Sequence, residues 1–313
     1  MPRPQSLRIT VLGCGAWGGT LAELWQRQGH ELRCWSRRQG GDPAAALAEA
    51  DLGVVAVPMA AVAHLAGSIA GRWPPALPLL SCSKGIDLDR QTTASRIWSD
   101  HGLEAPLLVL SGPNLATELA QGLPAASVLA SRQEAVAAWL QPLLSGASLR
   151  LYTNDDPVGT EVAGALKNVM AVAAGLCDGL RLGANARASL LTRGLAETGI
   201  VLEAFGGSPA TLYGLAGLGD MLATATSPLS RNYRCGQLLA EGLTVEAAMA
   251  RIEATVEGPR TARATLALAR MRGLKLPICE QVVGVIEGRC TPGTAARALM
   301  QRQLRPEGQQ VQP

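Results

Sequence analysis

Residues 8–18 read RITVLGCGAWG, a short apolar run followed at once by the glycine pattern G-x-G-x-x-G. The three glycines are Gly13, Gly15 and Gly18. Between a strand and a helix, such glycines allow a tight turn and let the backbone approach a pyrophosphate at the positive end of the helix. The alternative is a plain tight turn, which the strand before the glycines and the helix after them disfavour. The stretch therefore predicts an N-terminal dinucleotide-binding unit.

The rest of the first half continues the same alternation of short apolar runs and helix-like segments. The predicted strands are Arg8–Leu12, Glu31–Trp35, Leu52–Val57, Leu77–Cys82, Pro106–Leu110, Ala125–Ala130 and Leu149–Tyr152. This alternation indicates βα units and a Rossmann-type, doubly wound, mostly parallel sheet.

After Asp156 the strand pattern disappears, and the helices predicted beyond it cover residues 158–178, 185–205, 231–241, 259–272, 277–287 and 294–302. We therefore predict two domains. A dinucleotide-binding domain covers residues 1–155, and an all-helical substrate domain covers residues 156–313, with a frayed polar tail from about residue 306.

Composition excludes several classes of protein. The chain has 313 residues, is 48% hydrophobic and carries a net charge of only +3, too little to indicate nucleic-acid binding. Its seven cysteines form no C-x-x-C pair and no metal-like cluster with the three histidines, so we expect no metal and reduced thiols in a cytoplasmic protein. The uncharged residues 52–71 read better as a buried strand and a helix than as a membrane span, so we expect no membrane insertion.

Lysine is scarce in this sequence, since only three of the 28 basic residues are lysines: Lys84, Lys167 and Lys275. Unlike arginine, lysine can lose its proton near neutral pH when it is buried. Lys167 lies in VAGALKNVMAVAAGLC (162–177), where its helical neighbours are apolar. We expect a lowered pKa and a role in proton transfer, against the alternative of a lysine that snorkels to solvent. Lys275, just before a proline, reads as a solvated turn residue.

The second predicted strand bears on the choice of cofactor. Chains that bind NAD usually end this strand with an acid that holds the ribose hydroxyls, whereas here it ends in Ser36, Arg37 and Arg38, with no acid until Asp42. Two guanidinium groups suit a 2′-phosphate, so NADP(H) is the expected cofactor and NAD(H) the second choice. The alternative is a solvated arginine pair.

Further polar segments lie where ligands gather. SCSKG (81–85) and SGPN (111–114) each follow a predicted strand, and both could also be plain βα turns. In the second half, EVAGALKN (161–168), GLAGLGD (214–220) and Ser230-Arg231-Asn232 stand out. The last of these suits a phosphate or carboxylate at a helix start, although Ser230 could be only an N-cap and Arg231 a solvated side chain.

Taken together, these motifs resemble the bacterial NAD(P)-dependent glycerol-3-phosphate dehydrogenase family. The resemblance runs from about residue 8 to residue 302. It rests on G-x-G-x-W-G (13–18), V-P (57–58), SKG (83–85), SGPNLATELAQGLP (111–124), GALKN (164–168), DGL (178–180), TRGLAE (192–197), GLAGLGD (214–220), T-S-x-x-S-R-N (226–232) and EG (257–258).

The resemblance implies interconversion of dihydroxyacetone phosphate and sn-glycerol 3-phosphate, a precursor of phospholipids, and a homodimer formed through the helical domain. It implies that Lys167 is the proton donor/acceptor and that Lys84 and Asp220 assist it. The implied substrate-binding residues are Lys84, Gly112, Asn114, Asp220, Ser230, Arg231 and Asn232, with Asn114 standing where many members have Ser or Thr. The implied cofactor-binding residues are Gly13, Gly15, Trp17, Gly18, Arg37, Arg38, Lys84, Ala116, Arg231 and Glu257.

One departure from the family concerns the segment between the second and third strands. Members usually carry roughly one more helix and strand there, whereas only residues 39–52 intervene in this chain. We therefore expect a shortened βα region at the edge of the sheet, on the adenine side of the site.

Three other functions are compatible with the two-domain plan. A β-hydroxyacid dehydrogenase also uses a helical lysine, but that lysine lies in a different motif. A reductase resembling ketopantoate reductase is open on similar grounds. A module that senses redox state without catalysis is disfavoured by the intact set of Lys167, Asp220 and Arg231.

Overall fold

The computed structural model describes residues 6–304 and residue 306, and in this part of the chain seven strands form one sheet in the order β2-β1-β3-β4-β5-β6-β7. All neighbours pair in parallel except β5 and β6, which are antiparallel. The predicted mostly parallel Rossmann-type sheet is confirmed. The strands are β1 Arg8–Leu12, β2 Glu31–Trp35, β3 Leu52–Val55, β4 Leu79–Ser81, β5 Leu107–Ser111, β6 Ala125–Ala130 and β7 Leu149–Asn154.

Helices cover both faces of this sheet, and this explains why its strands are apolar runs. Val11 and Val54 pack with Trp25 on one face, whereas Leu12 and Val55 belong to a second core cluster on the other face. The helices of this half are α1 Ala16–Arg27, α2 Pro43–Ala46, α3 Met59–Ile69, α4 Ala94–Asp100, α5 Ala116–Ala120 and α6 Glu134–Leu144. The strand order reverses between β1 and β3, the place where such sheets bind ligands.

The shortened region lies at the edge of the sheet. Only the single-turn helix α2 separates β2 from β3, and β2 is the edge strand. Glu31, Arg33 and Cys34 of this strand are exposed, because no further βα element covers them. The segment that is shorter than in the family thus lies beside the edge strand β2.

The second half is helical, as predicted. Its longest helix, α7, has nearly all of its residues buried and is packed on several sides by the other helices. The helices are α7 Pro157–Gly179, α8 Ala184–Ala204, α9 Pro209–Leu212, α10 Asp220–Ala225, α11 Arg231–Ala240, α12 Val245–Ile252, α13 Gly258–Arg272, α14 Pro277–Ile286 and α15 Pro292–Met300. The change from strand to helix falls between Asn154 and Pro157. The division into domains at residues 155 and 156 stays a prediction, and the expected frayed tail lies, apart from Pro306, outside the described residues.

Two glycines determine how closely α11 approaches α7. A Cβ on Gly175 would lie 2.0 Å from the carbonyl oxygen of Tyr233, and one on Gly236 would lie 2.1 Å from that of Val172. No side chain fits at either position. The close approach places the N-terminal end of α11 beside the middle of α7, where Lys167 lies.

Residues 52–71 form strand β3 and helix α3, as predicted. Within the described residues, no helix is both long and apolar enough to cross a membrane. Four elements of the second half are not predicted by the sequence analysis: α9, a π-helical turn at Leu215–Gly219, α10 and α12.

Candidate active site

The three glycines of the first loop have distinct structural roles. Gly13 has a φ of +105°, and a Cβ there would lie 2.8 Å from the backbone of Ala56. A Cβ on Gly18 would lie 2.1 Å from the carbonyl oxygen of Gly13, whereas a Cβ on Gly15 would meet nothing within 4 Å. Gly15 also precedes the first residue of α1. The loop therefore leaves open space at the helix N-terminus, which is what a bound pyrophosphate requires.

Arg37 and Arg38 lie in the turn that follows β2, and both are exposed. They form no hydrogen bond or ion pair with other residues in the described part of the chain. The hydroxyl of Ser36 donates to Oε1 of Gln39 over 2.9 Å. The structure thus does not bring the arginine pair into contact with the other predicted site residues.

Lys167 lies inside the helical half and is only 8% exposed. Its pKa is lowered to about 8: burial is the main cause, the nearby charge of Lys84 acts in the same direction, and the carboxylate of Asp220 opposes both. The apolar neighbours and the lowered pKa match the expectation from the sequence. The alternative of a lysine that extends to solvent is wrong, because its ammonium is hydrogen-bonded to Asp220 and Thr224 inside the protein.

Asp220 is fully buried and binds both lysines. Its Oδ2 lies 2.7 Å from Nζ of Lys84, and its Oδ1 accepts a hydrogen bond from Nζ of Lys167. Asp220 begins α10, directly after the π-helical turn Leu215–Gly219. Thr224, one helical turn later, accepts a hydrogen bond from Lys167 over 2.9 Å.

Lys84 reaches this group from the loop after β4. Its ammonium also donates to the carbonyl oxygen of Gly112 over 3.3 Å and to Oδ1 of Asn114 over 3.1 Å. Gly164 of α7 packs against the end of β5, since a Cβ there would lie 2.5 Å from Oγ of Ser111 but at an ordinary contact distance of 3.7 Å from Cδ of Lys84. Two loops of the sheet thus meet the catalytic candidate on α7 at the carboxyl ends of the strands.

The N-terminal end of α11 carries the Ser230-Arg231-Asn232 cluster. Oγ of Ser230 accepts the backbone N–H of Tyr233 over 3.2 Å, so this residue is an N-cap, whatever else its hydroxyl binds. Asn232 donates to Oδ1 of Asn168, the neighbour of Lys167, and accepts from the backbone N–H of Gly258, each over 2.8 Å. Arg231 is exposed, and its guanidinium forms no hydrogen bond or ion pair within the described residues.

Glu257 and Ala116, two further predicted cofactor residues, contact α3 and α1, respectively. Oε1 of Glu257 accepts the backbone N–H of Met59, the first residue of α3, over 3.3 Å. Burial raises the pKa of Glu257, and the charges of Arg260 and Arg231 oppose the shift. Ala116 begins α5, and its carbonyl oxygen lies 3.5 Å from the hydroxyl of Thr20 on α1.

Sequence reasoning missed several polar residues of this group. Thr224 could have been found, because it lies four residues after Asp220 and therefore on the same helical face. Ser127, which accepts from Nδ2 of Asn114 over 3.2 Å, enters through the antiparallel strand β6 and had no signal. Ser111, whose buried hydroxyl has no hydrogen-bond partner within the described residues, lay in a quoted motif but was assigned no role.

Two ammonium groups share one carboxylate at the centre of the site. The group of Lys84, Lys167 and Asp220 therefore keeps one uncompensated positive charge in a nearly dry environment, where it acts strongly on a developing negative charge. A dinucleotide-binding loop lies in the same molecule, at the switch point of the sheet. This combination defines the class of nicotinamide-dependent oxidoreductases that pair a Rossmann-type sheet with a helical second half.

Comparison with known proteins narrows the class. The C-terminal model of the NAD-dependent glycerol-3-phosphate dehydrogenases matches residues 156–297, and the N-terminal model matches residues 8–41 and 39–137, two pieces that meet in the shortened region. A glycerol-3-phosphate dehydrogenase [NAD(P)+] of Synechococcus sp. (strain RCC307) is 54% identical over 303 residues, which cover 97% of this chain and 100% of the relative. The chain belongs to the NAD(P)-dependent glycerol-3-phosphate dehydrogenase family and is an oxidoreductase.

Solved structures agree with this family. The crystal structure of glycerol-3-phosphate dehydrogenase from Coxiella burnetii superposes with a TM-score of 0.91 at 32% identity, covering 96% of this chain and 100% of that one. A ketopantoate reductase from Ralstonia eutropha covers 94% of this chain and 99% of its own, but with a TM-score of only 0.59 at 15% identity. The second likeness shows the two-part fold alone.

Proposed function

We propose that this enzyme interconverts dihydroxyacetone phosphate and sn-glycerol 3-phosphate, with Lys167 as the proton donor and acceptor. The observation that carries the proposal is the buried pair of lysines on the single carboxylate of Asp220. A ketone oxygen placed at this group would face the uncompensated positive charge as it becomes an alkoxide.

The residues of the chain divide the proton chemistry among themselves. A bound nicotinamide supplies or accepts the hydride at C2 of the substrate. Lys167, as an ammonium, donates its proton to the C2 oxygen during reduction and takes it back during oxidation. Lys84 stabilises the same oxygen and keeps the pKa of Lys167 low, while Asp220 and Thr224 fix the direction of the Lys167 ammonium.

Arg231 is the proposed phosphate-binding residue, assisted by Ser230 and Asn232. Its exposed guanidinium leaves it free to form charge-assisted hydrogen bonds with a phosphate at the N-terminal end of α11. The two hydrogen bonds of Asn232 hold this helix end against α7 and α13, so the phosphate site keeps a fixed distance from Lys167. Gly112 and Asn114 complete the substrate site beside Lys84.

The cofactor site is proposed to be formed by Gly13, Gly15, Trp17 and Gly18 at the pyrophosphate, with Lys84, Ala116, Arg231 and Glu257 on the nicotinamide side. The open space above Gly15 supports this placement. Arg37 and Arg38 are proposed to bind a 2′-phosphate, which would make NADP(H) the preferred cofactor. Both side chains are exposed and unpaired within the described residues, so neither has a competing partner there.

The cellular setting is also a proposal. We propose a cytoplasmic enzyme that supplies the glycerol backbone of phospholipids and works as a homodimer.

A largely apolar groove of about 1350 Å³ between α8, α14 and α15 supports the dimer, because it is larger than most small-molecule sites. Exposed Leu182, Tyr213 and Met300 line it. Light scattering should give twice the chain mass for wild type and a lower mass for Tyr213→Asp; a monomeric wild type contradicts the dimer.

The decisive assay follows cofactor oxidation by absorbance with three substrates: dihydroxyacetone phosphate, ketopantoate and a β-keto acid. The proposal requires the first to be reduced with the highest kcat/KM. Faster reduction of ketopantoate or of the β-keto acid would favour the related enzyme classes instead. Cofactor binding without reduction of any of the three would favour a sensing module.

A further inference from the structure

A second buried carboxylate on α7 lies outside the group described above. Glu161 is 3% exposed, and its Oε1 accepts the backbone N–H of Ser95 over 2.9 Å while its Oε2 accepts the Ser95 hydroxyl. The two residues are 66 positions apart, one on the central helix of the second half and one on a helix that packs on the sheet. No lysine or arginine pairs with this carboxylate within the described residues.

The contact caps helix α4. Ser95 is the second residue of this helix, and the preceding Thr93 provides no side-chain cap of its own. The free N–H groups at a helix start need acceptors, and a negative charge is favourable there. Glu161 supplies both from another part of the chain. Burial raises the pKa of Glu161 to about 6, and the hydrogen bonds from Ser95 oppose that shift.

The two elements joined by this contact carry the two lysines of the site. Lys167 lies six residues after Glu161 on α7. Lys84 lies in the loop 82–93, which runs from β4 directly into α4. Near the start of this loop, Oγ of Ser83 donates to the carbonyl oxygen of Val57 over 2.7 Å. Within the loop, Oδ1 of Asp87 accepts the backbone N–H of Arg90 over 2.8 Å and closes a turn.

These connections form a closed ring of contacts. The ring runs from Lys84 through Asp220 to Lys167, along α7 to Glu161, across to Ser95, and back through the loop to Lys84. Ile86 and Leu88 of the same loop also pack against the helical core, so the contact between Glu161 and Ser95 adds a directional polar link to this apolar packing. Without that link, the position of Lys84 relative to Lys167 is less tightly defined. Misplacement of reacting groups by about 1 Å can cost roughly 10²-fold in rate.

We propose that Glu161 is a positioning residue that fixes α7 against the Lys84 loop, so that both lysines face one substrate oxygen. The proposal rests on the proposed function, since it assumes that Lys167 and Lys84 act on the substrate. Glu161 itself does not touch the reacting atoms. It should therefore affect kcat more than the binding of the cofactor.

The chain offers a matched control in Glu197. This carboxylate is 5% exposed and caps α14 by accepting the backbone N–H groups of Ile278 over 2.6 Å and Cys279 over 3.1 Å. It performs the same kind of capping, but both partners lie in the helical half and neither leads to a lysine of the site. Its loss should lower stability without moving Lys84 relative to Lys167.

The test compares Glu161→Ala, Glu161→Gln, Ser95→Ala and Glu197→Ala in the full-length enzyme. For each variant, kcat per folded molecule, the Kd of NADPH from fluorescence titration and the melting temperature are measured. Glu161→Ala should lose about 10–100-fold in kcat, with the Kd of NADPH within about threefold of wild type. Glu161→Gln should recover most of that kcat, because an amide can accept from the Ser95 N–H and donate to its hydroxyl.

Glu197→Ala should melt earlier and keep its kcat. Equal losses of kcat in Glu161→Ala and Glu197→Ala, or no rescue by Gln, would overturn the proposal. If Glu161→Ala fails to fold, the Ser95→Ala variant tests the proposal instead. Its kcat should fall by roughly 3–10-fold. A wild-type kcat in Ser95→Ala would overturn the positioning role of Glu161. Lys167→Ala, measured in parallel, separates the two proposals, since an active Lys167→Ala variant would remove the proposed function itself.

Discussion

The buried lysine group and the exposed arginine turn use positive charge in opposite ways. At Lys167 and Lys84, hydrogen bonds to Asp220, Thr224 and Asn114 fix each ammonium. Arg37 and Arg38 lie in solvent at the edge of the sheet. The difference is one of prior organisation: hydrogen bonds already hold the ammonium groups of the first region in place, whereas the guanidinium groups of the second have no partner within the described residues that fixes them.

The largest effect is expected in the buried lysine group. Replacing Lys167 with Ala should lower kcat by about 10²–10⁴-fold, the usual contribution of a general acid, while the affinity for NADPH barely changes. Lys167→Arg should be nearly as inactive, because a guanidinium does not release its proton near neutral pH. Steady-state kinetics check both variants, and a Lys167→Ala enzyme within about threefold of wild type would mean that the proton comes from elsewhere.

Arg231 shares a property with each region. Its side chain is exposed, like those of Arg37 and Arg38, but the next residue, Asn232, is hydrogen-bonded to the neighbour of Lys167. Arg231→Ala should raise KM for dihydroxyacetone phosphate by about 10²-fold, because a charge-assisted pair contributes about 1.5–3 kcal/mol. Unphosphorylated dihydroxyacetone, a poor substrate at best, serves as the control and should respond little. An equal change with both compounds would remove Arg231 from the phosphate site.

A smaller effect is expected at the arginine turn. Wild type should prefer NADPH over NADH by roughly 10–100-fold in kcat/KM, and Arg37→Ala/Arg38→Ala should abolish most of that preference. The measurement is kcat/KM with both cofactors in both proteins. A double mutant that keeps the wild-type ratio would identify the pair as surface charge of little energetic weight.

The smallest effect concerns pH. The pKa of Lys167 is lowered to about 8, mainly by burial, and the proposed mechanism uses its protonated form for reduction, so the rate of ketone reduction should fall as pH rises through about 8. Oxidation needs the neutral amine and should rise over the same range. Because the charge of Lys84 lowers the pKa of Lys167, Lys84→Met should move both limbs to higher pH. Rate profiles between about pH 6 and 10 test this, and a shift to lower pH would contradict the assigned coupling.

The sequence predicts the sheet and the main helices because their signals are local. Strands β1, β2 and β6 have the predicted bounds, and the buried runs that form them are readable without knowledge of their partners. The π-helical turn before Asp220 is not predicted, since the glycine-rich stretch GLAGLG resembles a loop. The turn requires glycine at position 217, because a Cβ on Gly217 would lie 2.1 Å from the carbonyl oxygen of Leu212.

Site residues are predictable where chemistry or motif marks them, and not where only the fold brings them together. The scarcity of lysine indicates Lys167 and Lys84 from the sequence alone. Nothing in the sequence joins Asn114 to Ser127, or Glu161 to Ser95, because each contact depends on how two distant elements pack. Arg37 and Arg38 lie exposed in the turn after β2, beside the shortened segment that the sequence does predict.

That shortened segment has a consequence for self-association. Within residues 6–304, no strand pairs with the outer side of β2, so a row of backbone N–H and C=O groups there has no strand partner at one edge of the sheet. An unpaired edge strand can pair with strands of other molecules. Here the edge strand is only five residues long and carries the charged side chains Glu31 and Arg33, which oppose such pairing. Any redesign of this segment should retain those charges to keep the protein from aggregating.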